Sequence, residues 1–280
     1  MDASQQRPLD LEAYFARIGF SGRPSPDPAT LARLHALHAE AIPFENLAAF
    51  LGEPVRLDLP SLQEKLVASR RGGWCFEQNL LFAHVLESIG FPVRRLAARV
   101  RWNAAPGAVT ARSHMLLEVQ AGDEPWIADV GFGGQSLTAP LRLVANMEQA
   151  TPHEPFRLVP EGGAFVLEAR LEGEWRALYA FERHLQHLAD YEVSNWYLAN
   201  HPQSQFVTGI VAARPEAGRR HALRNARYAI HYPDGRTERR TLASVAELRE
   251  VLSGPMRIPL PDSPRLDERL GRLAREAAQG

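Results

Sequence analysis

The 280-residue chain has one cysteine, Cys75, and one lysine, Lys65. A lone cysteine excludes an intramolecular disulfide, a cysteine-rich zinc site and an iron–sulfur cluster held by one chain. A lone lysine leaves only Lys65 for Schiff-base chemistry, and its stretch is polar and amphipathic with nothing catalytic nearby. Neither sign of charge is in excess, since 32 basic against 33 acidic residues leave a net −1. That gives no footprint for nucleic acid or for an anionic membrane. Long apolar runs are missing too. The longest stretch without Asp, Glu, Lys or Arg, residues 193–213, contains Asn195, Asn200, His201, Pro202 and Gln203 and is too polar to span a bilayer. The N-terminal residues carry Asp2, Asp10 and Glu12 with no basic segment leading into an apolar core, so no signal peptide is expected. The expected address is the reducing cytoplasm, where a lone cysteine stays a thiol. With 45% hydrophobic and 23% charged residues, the chain reads as a folded globular protein of about one to three domains.

Residues 10–20, 28–44, 60–70 and 75–91 place apolar side chains three or four apart, which predicts helices. Asp27-Pro28 and Pro60-Ser61 are start signals, and Gly90 followed by Pro92 is a stop. After Pro92 the period becomes strand-like over 93–102, 113–120 and 125–132, with NAAPGA and AGDEP as the intervening turns. Residues 156–181 continue this pattern around EGG and EGE, so roughly 93–182 should form an antiparallel sheet or small barrel. Helix returns over 184–202. FVTGIVAARP and RYAIHYPDGRTERRTL then read as strands, and SVAELREVL and PRLDERLGRLAREAAQ as helices. No internal repeat interrupts this order. The blocks are helical over 1–92, β over 93–190, a helical connector over 191–210, and α/β over 211–280: an α+β protein.

The densest chemistry lies in Arg71-Gly72-Gly73-Trp74-Cys75-Phe76-Glu77-Gln78-Asn79. Two glycines permit a tight bend before a helix. Cys75 then falls at the helix start, where free N–H groups and the dipole favour a thiolate. Without a partner, the same cysteine is simply a small buried apolar side chain. A thiolate nucleophile needs a base and a group to orient that base. His114 opens one predicted strand and Asp129 closes the next, so neighbouring strands would set them side by side.

Together RGGWCFEQN, AIPFENL, the Ser-x-His stretch at 113–119 and ADVGFGG closely resemble the arylamine N-acetyltransferases, over essentially the whole chain. The order Cys, His, Asp is similar to that of papain-like and transglutaminase-like enzymes. The resemblance implies a helical first domain carrying the nucleophile, a β-barrel carrying His and Asp, and an α/β lid around a cysteine-protease-like core. It further implies a Cys75–His114–Asp129 triad, acetyl-CoA as co-substrate with no bound cofactor or metal, and arylamines or arylhydrazines as acceptors. Phe132, with Gly133 and Gly134, falls where the family's active-site loop lines the acceptor pocket. Trp102 and Ser113 fall where relatives touch coenzyme A or the acetyl group, and Phe206 matches a ligand-lining aromatic. Core packing also fits Trp102, Ser113 and Phe206.

Two further features have simpler explanations. His35 with His38 and His184 with His187 have helical i, i+3 spacing but no clear third ligand, and are expected on solvated or locally hydrogen-bonded faces. The 214–240 stretch carries eight arginines against Glu216, Asp234 and Glu238, for a net +5. It suits coenzyme A phosphates or, by default, a solvated strand face. The expected activity is ping-pong acetyl transfer by a monomer or homodimer. A related amide synthase and a cysteine peptidase-like hydrolase are the alternatives.

Overall fold

The computed structural model of the chain describes residues 8–105 and 107–279. Asp2 of the N-terminal segment and Pro106 of the NAAPGA turn lie outside the described residues. Helix α1 (Leu11–Ile18) begins where Asp10 accepts the Ala13 N–H at 2.9 Å. Helix α2 (Pro28–Ala41) begins where Asp27 accepts the Thr30 N–H at 2.7 Å. Each side chain occupies a donor that the first helical turn leaves unpaired. A two-residue strand β1 (Phe44–Glu45) and a short helix α3 (Leu47–Leu51) follow, neither foreseen in the sequence. Helix α4 (Leu59–Leu62) is capped by Asp58 and widens into a π-helical turn, Gln63–Ala68. Helix α5 (Cys75–Ile89) closes at Gly90, whose φ of 107° is left-handed, as the Gly-Pro stop signal predicts.

Seven strands form the central sheet: β2 (Val93–Val100), β3 (His114–Ala121), β4 (Glu124–Ala128), β5 (Leu141–Arg142), β6 (Phe156–Glu161), β7 (Ala164–Leu171) and β8 (Glu174–Phe181). Their order is β5-β4-β3-β2-β8-β7-β6, with every neighbouring pair antiparallel. Ala145 and Gln149, just past β5, bridge to Leu158 and Phe156 of β6 and nearly close the sheet into a barrel. Strand β3 is buried on both faces. Met115, Leu117 and Val119 pack into the core that contains α5, while Leu116 joins Leu96, Ile127, Leu158 and Tyr179 inside the barrel. This double burial holds the start of β3 against the start of α5.

Helices α6 (Leu188–Asn200) and α7 (Gln205–Thr208) lead to β9 (Val211–Glu216), β10 (Arg219–Arg224), β11 (Arg227–His231) and β12 (Thr237–Thr241). The chain ends in α8 (Val245–Ser253) and α9 (Pro264–Ala278). Strand β1 pairs with β9 through Phe44↔Ala213 and Glu45↔Ala212, so this second sheet runs β1-β9-β10-β11-β12. Its core takes Leu47, Phe50 and Leu51 from α3 together with Ile210, Leu248, Leu266 and Leu270. The helix expected from residue 184 starts later, at Leu188. His184 and His187 therefore share no helical face, and the His187 N–H donates to Asp190 at 2.8 Å in the cap. Among the described residues, no helix is long and apolar enough to cross a membrane.

Candidate active site

The AIPFENL segment is a cradle for the turn before Cys75. The Gly73 N–H donates to the Pro43 carbonyl and the Glu45 N–H to the Gly73 carbonyl, each at 3.2 Å. Glu45 is fully buried and pairs with Arg71 at 2.7 Å. A Cβ on Gly72 would lie 2.1 Å from the Pro43 oxygen, and one on Gly73 would lie 2.8 Å from a Glu77 carboxylate oxygen. Neither glycine has positive φ. The pair therefore gives room for close backbone approach, rather than the tight bend expected from sequence. Asn46 completes the cradle by donating to the Phe206 and Gly209 carbonyls and accepting from the Val211 N–H, which ties α7 to this turn.

Cys75 is the first residue of α5. Glu77, two residues on, accepts the Trp74 N–H at 3.1 Å and pairs with Lys65 at 2.6 Å. Burial raises the Glu77 pKa, and the lysine opposes that effect. The single lysine is thus a counter-ion at the start of the helix that carries Cys75, a neighbour that its local sequence did not reveal.

His114 and Asp129 meet, and the start of α5 brings Cys75 beside them. His114 Nε2 lies 2.7 Å from Asp129 Oδ2, and Cys75 Sγ lies 3.8 Å from the carbonyl oxygen of Ser113, the residue before His114. All three are buried, with Cys75 keeping 7% exposure as the most accessible of them. Asp129 is surrounded by donors: Asn79 Nδ2 and the Gly131 N–H reach Oδ1, each at 3.0 Å, and the Tyr179 hydroxyl reaches Oδ2 at 2.9 Å. Burial works against a charge on His114, but the Asp129 carboxylate and the contact with Cys75 prevail and raise its pKa to about 10. Burial likewise opposes ionised Asp129, while His114, Asn79 and Gly131 together hold its pKa below the ordinary carboxylate value. The result is a buried imidazolium–carboxylate pair beside the Cys75 sulfur. Gly131 is a glycine for space, because a Cβ there would sit 2.8 Å from Cys75 Cα.

The Phe132 ring packs edge-on against His114 at 5.0 Å and against Tyr179 at 5.1 Å. Gly133, at φ 92°, faces the Phe44 ring. Phe206 stands 5.3 Å from Trp74 and 6.2 Å from Phe44, completing an aromatic wall around the start of α5. Ser113 presents its carbonyl oxygen to Cys75 Sγ at 3.8 Å. Trp102 packs on the barrel core and borders a separate cleft of about 690 Å³ between the β7–β8 hairpin and the second sheet. Gln135, three residues past Phe132, lines the same cleft, as do Arg170, Arg176, Arg220 and Arg239. A larger open groove of about 1480 Å³ beside α1 includes none of the three central residues in its lining.

Tyr179, Asn79 and His35 were not singled out as site residues in the sequence. Asn79 carried a usable signal, since it lies one helical turn from Cys75. Tyr179 looked like any alternating strand residue. His35 and His38 are fully buried, which overturns a solvated face for that pair; His35 accepts the Asp129 N–H and His38 meets the Tyr14 hydroxyl. Among the described residues, no group of three His, Cys, Asp or Glu side chains is placed to hold a metal ion.

The N-acetyltransferase family model matches residues 27–264. The chain is 43% identical to the arylamine N-acetyltransferase of Mycolicibacterium smegmatis over 91% of its own length and 94% of that protein. It is 44% identical to that of Escherichia coli, over 86% of each. Its fold superposes on the Mycobacterium marinum arylamine N-acetyltransferase in complex with CoA with a TM-score of 0.91 and 39% identity, covering 94% of this chain and 99% of that one. With this fold, this similarity to these relatives and a buried His114–Asp129 pair beside Cys75, the chain belongs to the arylamine N-acetyltransferase family.

Proposed function

We propose that the protein transfers an acetyl group from acetyl-CoA to the nitrogen of arylamines and arylhydrazines through an acetyl-cysteine. The observation that carries this reading is the 2.7 Å pairing of His114 with Asp129 beside Cys75 at the start of α5, within a member of this family. Cys75 attacks the thioester carbonyl as a thiolate. Backbone N–H groups at the start of α5, that of Cys75 among them, stabilise the tetrahedral oxyanion. The His114 Nδ1 proton passes to the departing coenzyme A sulfur, leaving neutral imidazole and acetylated Cys75. In the second half the amine nitrogen attacks that thioester while Nδ1 accepts its proton, and collapse regenerates thiolate and imidazolium. Throughout, Nε2–H stays on Asp129, so the carboxylate orients the ring and supports its charge without accepting a proton.

Phe132, Gly133 and Phe206 belong, in this account, to the wall that takes the aromatic acceptor, and Ser113 to the approach of the acetyl group. The cleft with Trp102 and its arginines takes the phosphate-bearing end of coenzyme A, because Gln135 joins it to the loop that starts at Phe132. We place the enzyme in the reducing cytoplasm, as a monomer or homodimer, with residues 211–280 acting as a lid. Coenzyme A release measured with and without an arylamine tests the reading. One equivalent of release with acetyl-CoA alone, and sustained release with acetylated amine once an arylamine is added, supports it. An amide synthase would be inert with acetyl-CoA, and a hydrolase would cleave peptide substrates instead.

A further inference from the structure

The Asp129 carboxylate can address His114 only if its own backbone is fixed, and the β4 ladder does not fix it. That ladder ends at Leu117↔Ala128, one residue short. The Asp129 N–H is thus a donor in a fully buried place with no strand partner, where leaving it unmet would destabilise the fold. It is met by His35 on α2, whose Nε2 lies 3.2 Å away. A backbone amide can only donate, so Nε2 must hold a lone pair and the ring must be neutral with its proton on Nδ1. The ring is clamped by the edge of Phe82, with centroids 5.9 Å apart at 84°. Its Nδ1 finds no hydrogen-bond partner among the described residues. A leucine would fill this space without an orphan nitrogen, so packing alone does not account for a histidine here. Accepting the Asp129 N–H does.

Resting on the acyl transfer proposed above, we infer that His35 is a positioning residue for that reaction. By accepting the Asp129 N–H, it sets the place from which the carboxylate holds His114. Asn79 and Gly131 fix one carboxylate oxygen and Tyr179 the other, while His35 fixes the main chain from which that carboxylate projects.

The test compares His35→Leu and His35→Gln with the wild type in single-turnover acylation by acetyl-CoA, alongside equilibrium acetyl-CoA binding and circular dichroism. A misplacement of about 1 Å can cost on the order of a hundredfold in rate. Folded His35→Leu should acylate about 10- to 100-fold more slowly at saturating acetyl-CoA with unchanged binding, and His35→Gln, whose side-chain oxygen can accept the same N–H, should recover most of the rate. Wild-type rates in folded His35→Leu overturn the positioning role. Equal losses in both variants overturn it as well. If the wild type itself forms no acetyl-Cys75, the proposed function has failed instead. Should neither variant fold, nitrogen-15 NMR of the wild type decides, because a His35 ring protonated on Nε2 contradicts the inference and a bare Nε2 supports it.

Discussion

His114 turns Nε2, not Nδ1, toward Asp129, at 2.7 Å, which leaves Nδ1 as the ring nitrogen available to Cys75 in the proposed transfer. In the serine-protease arrangement the two ring nitrogens are used the other way round. All four groups around the Asp129 carboxylate are donors: His114, Tyr179, Asn79 and the Gly131 N–H. An asparagine here must point its own NH₂ at two donors, whichever way it is flipped. Asp129→Asn should therefore lose acylation by orders of magnitude, as the corresponding change does in the serine-protease triad. Its folded state should also weaken. Single-turnover acylation with a thermal melt checks both, and a folded variant acylating at near wild-type rate would reduce the triad to a Cys75–His114 dyad.

The same pair makes stability depend on pH in a defined direction. His114 has a folded pKa raised to about 10, against about 6.5 unfolded. Its contribution is whole below pH about 6.5 and is lost as pH rises through about 10. Asp129, held low, contributes above its ordinary unfolded value and loses that contribution only as pH falls through the lower folded one. Urea unfolding should show stability declining between pH 7 and 10, by at most about 1.4 kcal/mol per pH unit for one proton. His114→Gln should flatten that slope, and an unchanged slope would contradict the pairing.

Gly131→Ala tests close approach at the site. Its Cβ would lie 2.8 Å from Cys75 Cα and 3.2 Å from Asn79 Nδ2, so either the 129–131 turn or the start of α5 must move. The expected outcome is a folded protein with acylation down at least tenfold, measured in single turnover. Gly162→Ala, in a β6–β7 turn where nothing lies within 4 Å but φ is +55°, is the remote comparison: backbone strain should lower its stability while acylation stays near wild type.

For the basic cleft, Arg239→Ala should raise the KM for acetyl-CoA several-fold with kcat held. Added salt should weaken wild-type binding of the donor more than that of the variant. Equal KM values at low salt would remove the cleft from donor binding.

Much of this was legible locally. Asp27 and Gly90 marked helix ends because capping is a matter of a few adjacent residues. Cys75, His114 and Asp129 could be paired because their motifs resemble those of one family; periodicity alone set them at a helix start and two successive strand ends. What sequence could not give was long-range. Strand β1 is two residues long and finds its partner in β9, far along the chain, so no periodicity announced it. RRHALR became β10 because β9 and β11 flank it, whereas its arginines alone suggested a solvated face. Gly72 and Gly73 were recognisable as required, but only the Pro43 carbonyl and the Glu77 carboxylate show that the requirement is space. His35 looked like half of a surface pair until the fold buried it against Asp129.

The central claim is covalent: acetyl-CoA alone should acetylate Cys75. Intact-mass and peptide mass spectrometry of the wild type, mixed with acetyl-CoA and no amine, measures it directly. The account predicts one added acetyl group, on the Cys75 peptide, absent in Cys75→Ser and discharged when an arylamine is added. An unmodified Cys75 after acetyl-CoA alone, in a preparation that acetylates an arylamine once one is added, or a Cys75→Ser variant that still transfers acetyl, would contradict it.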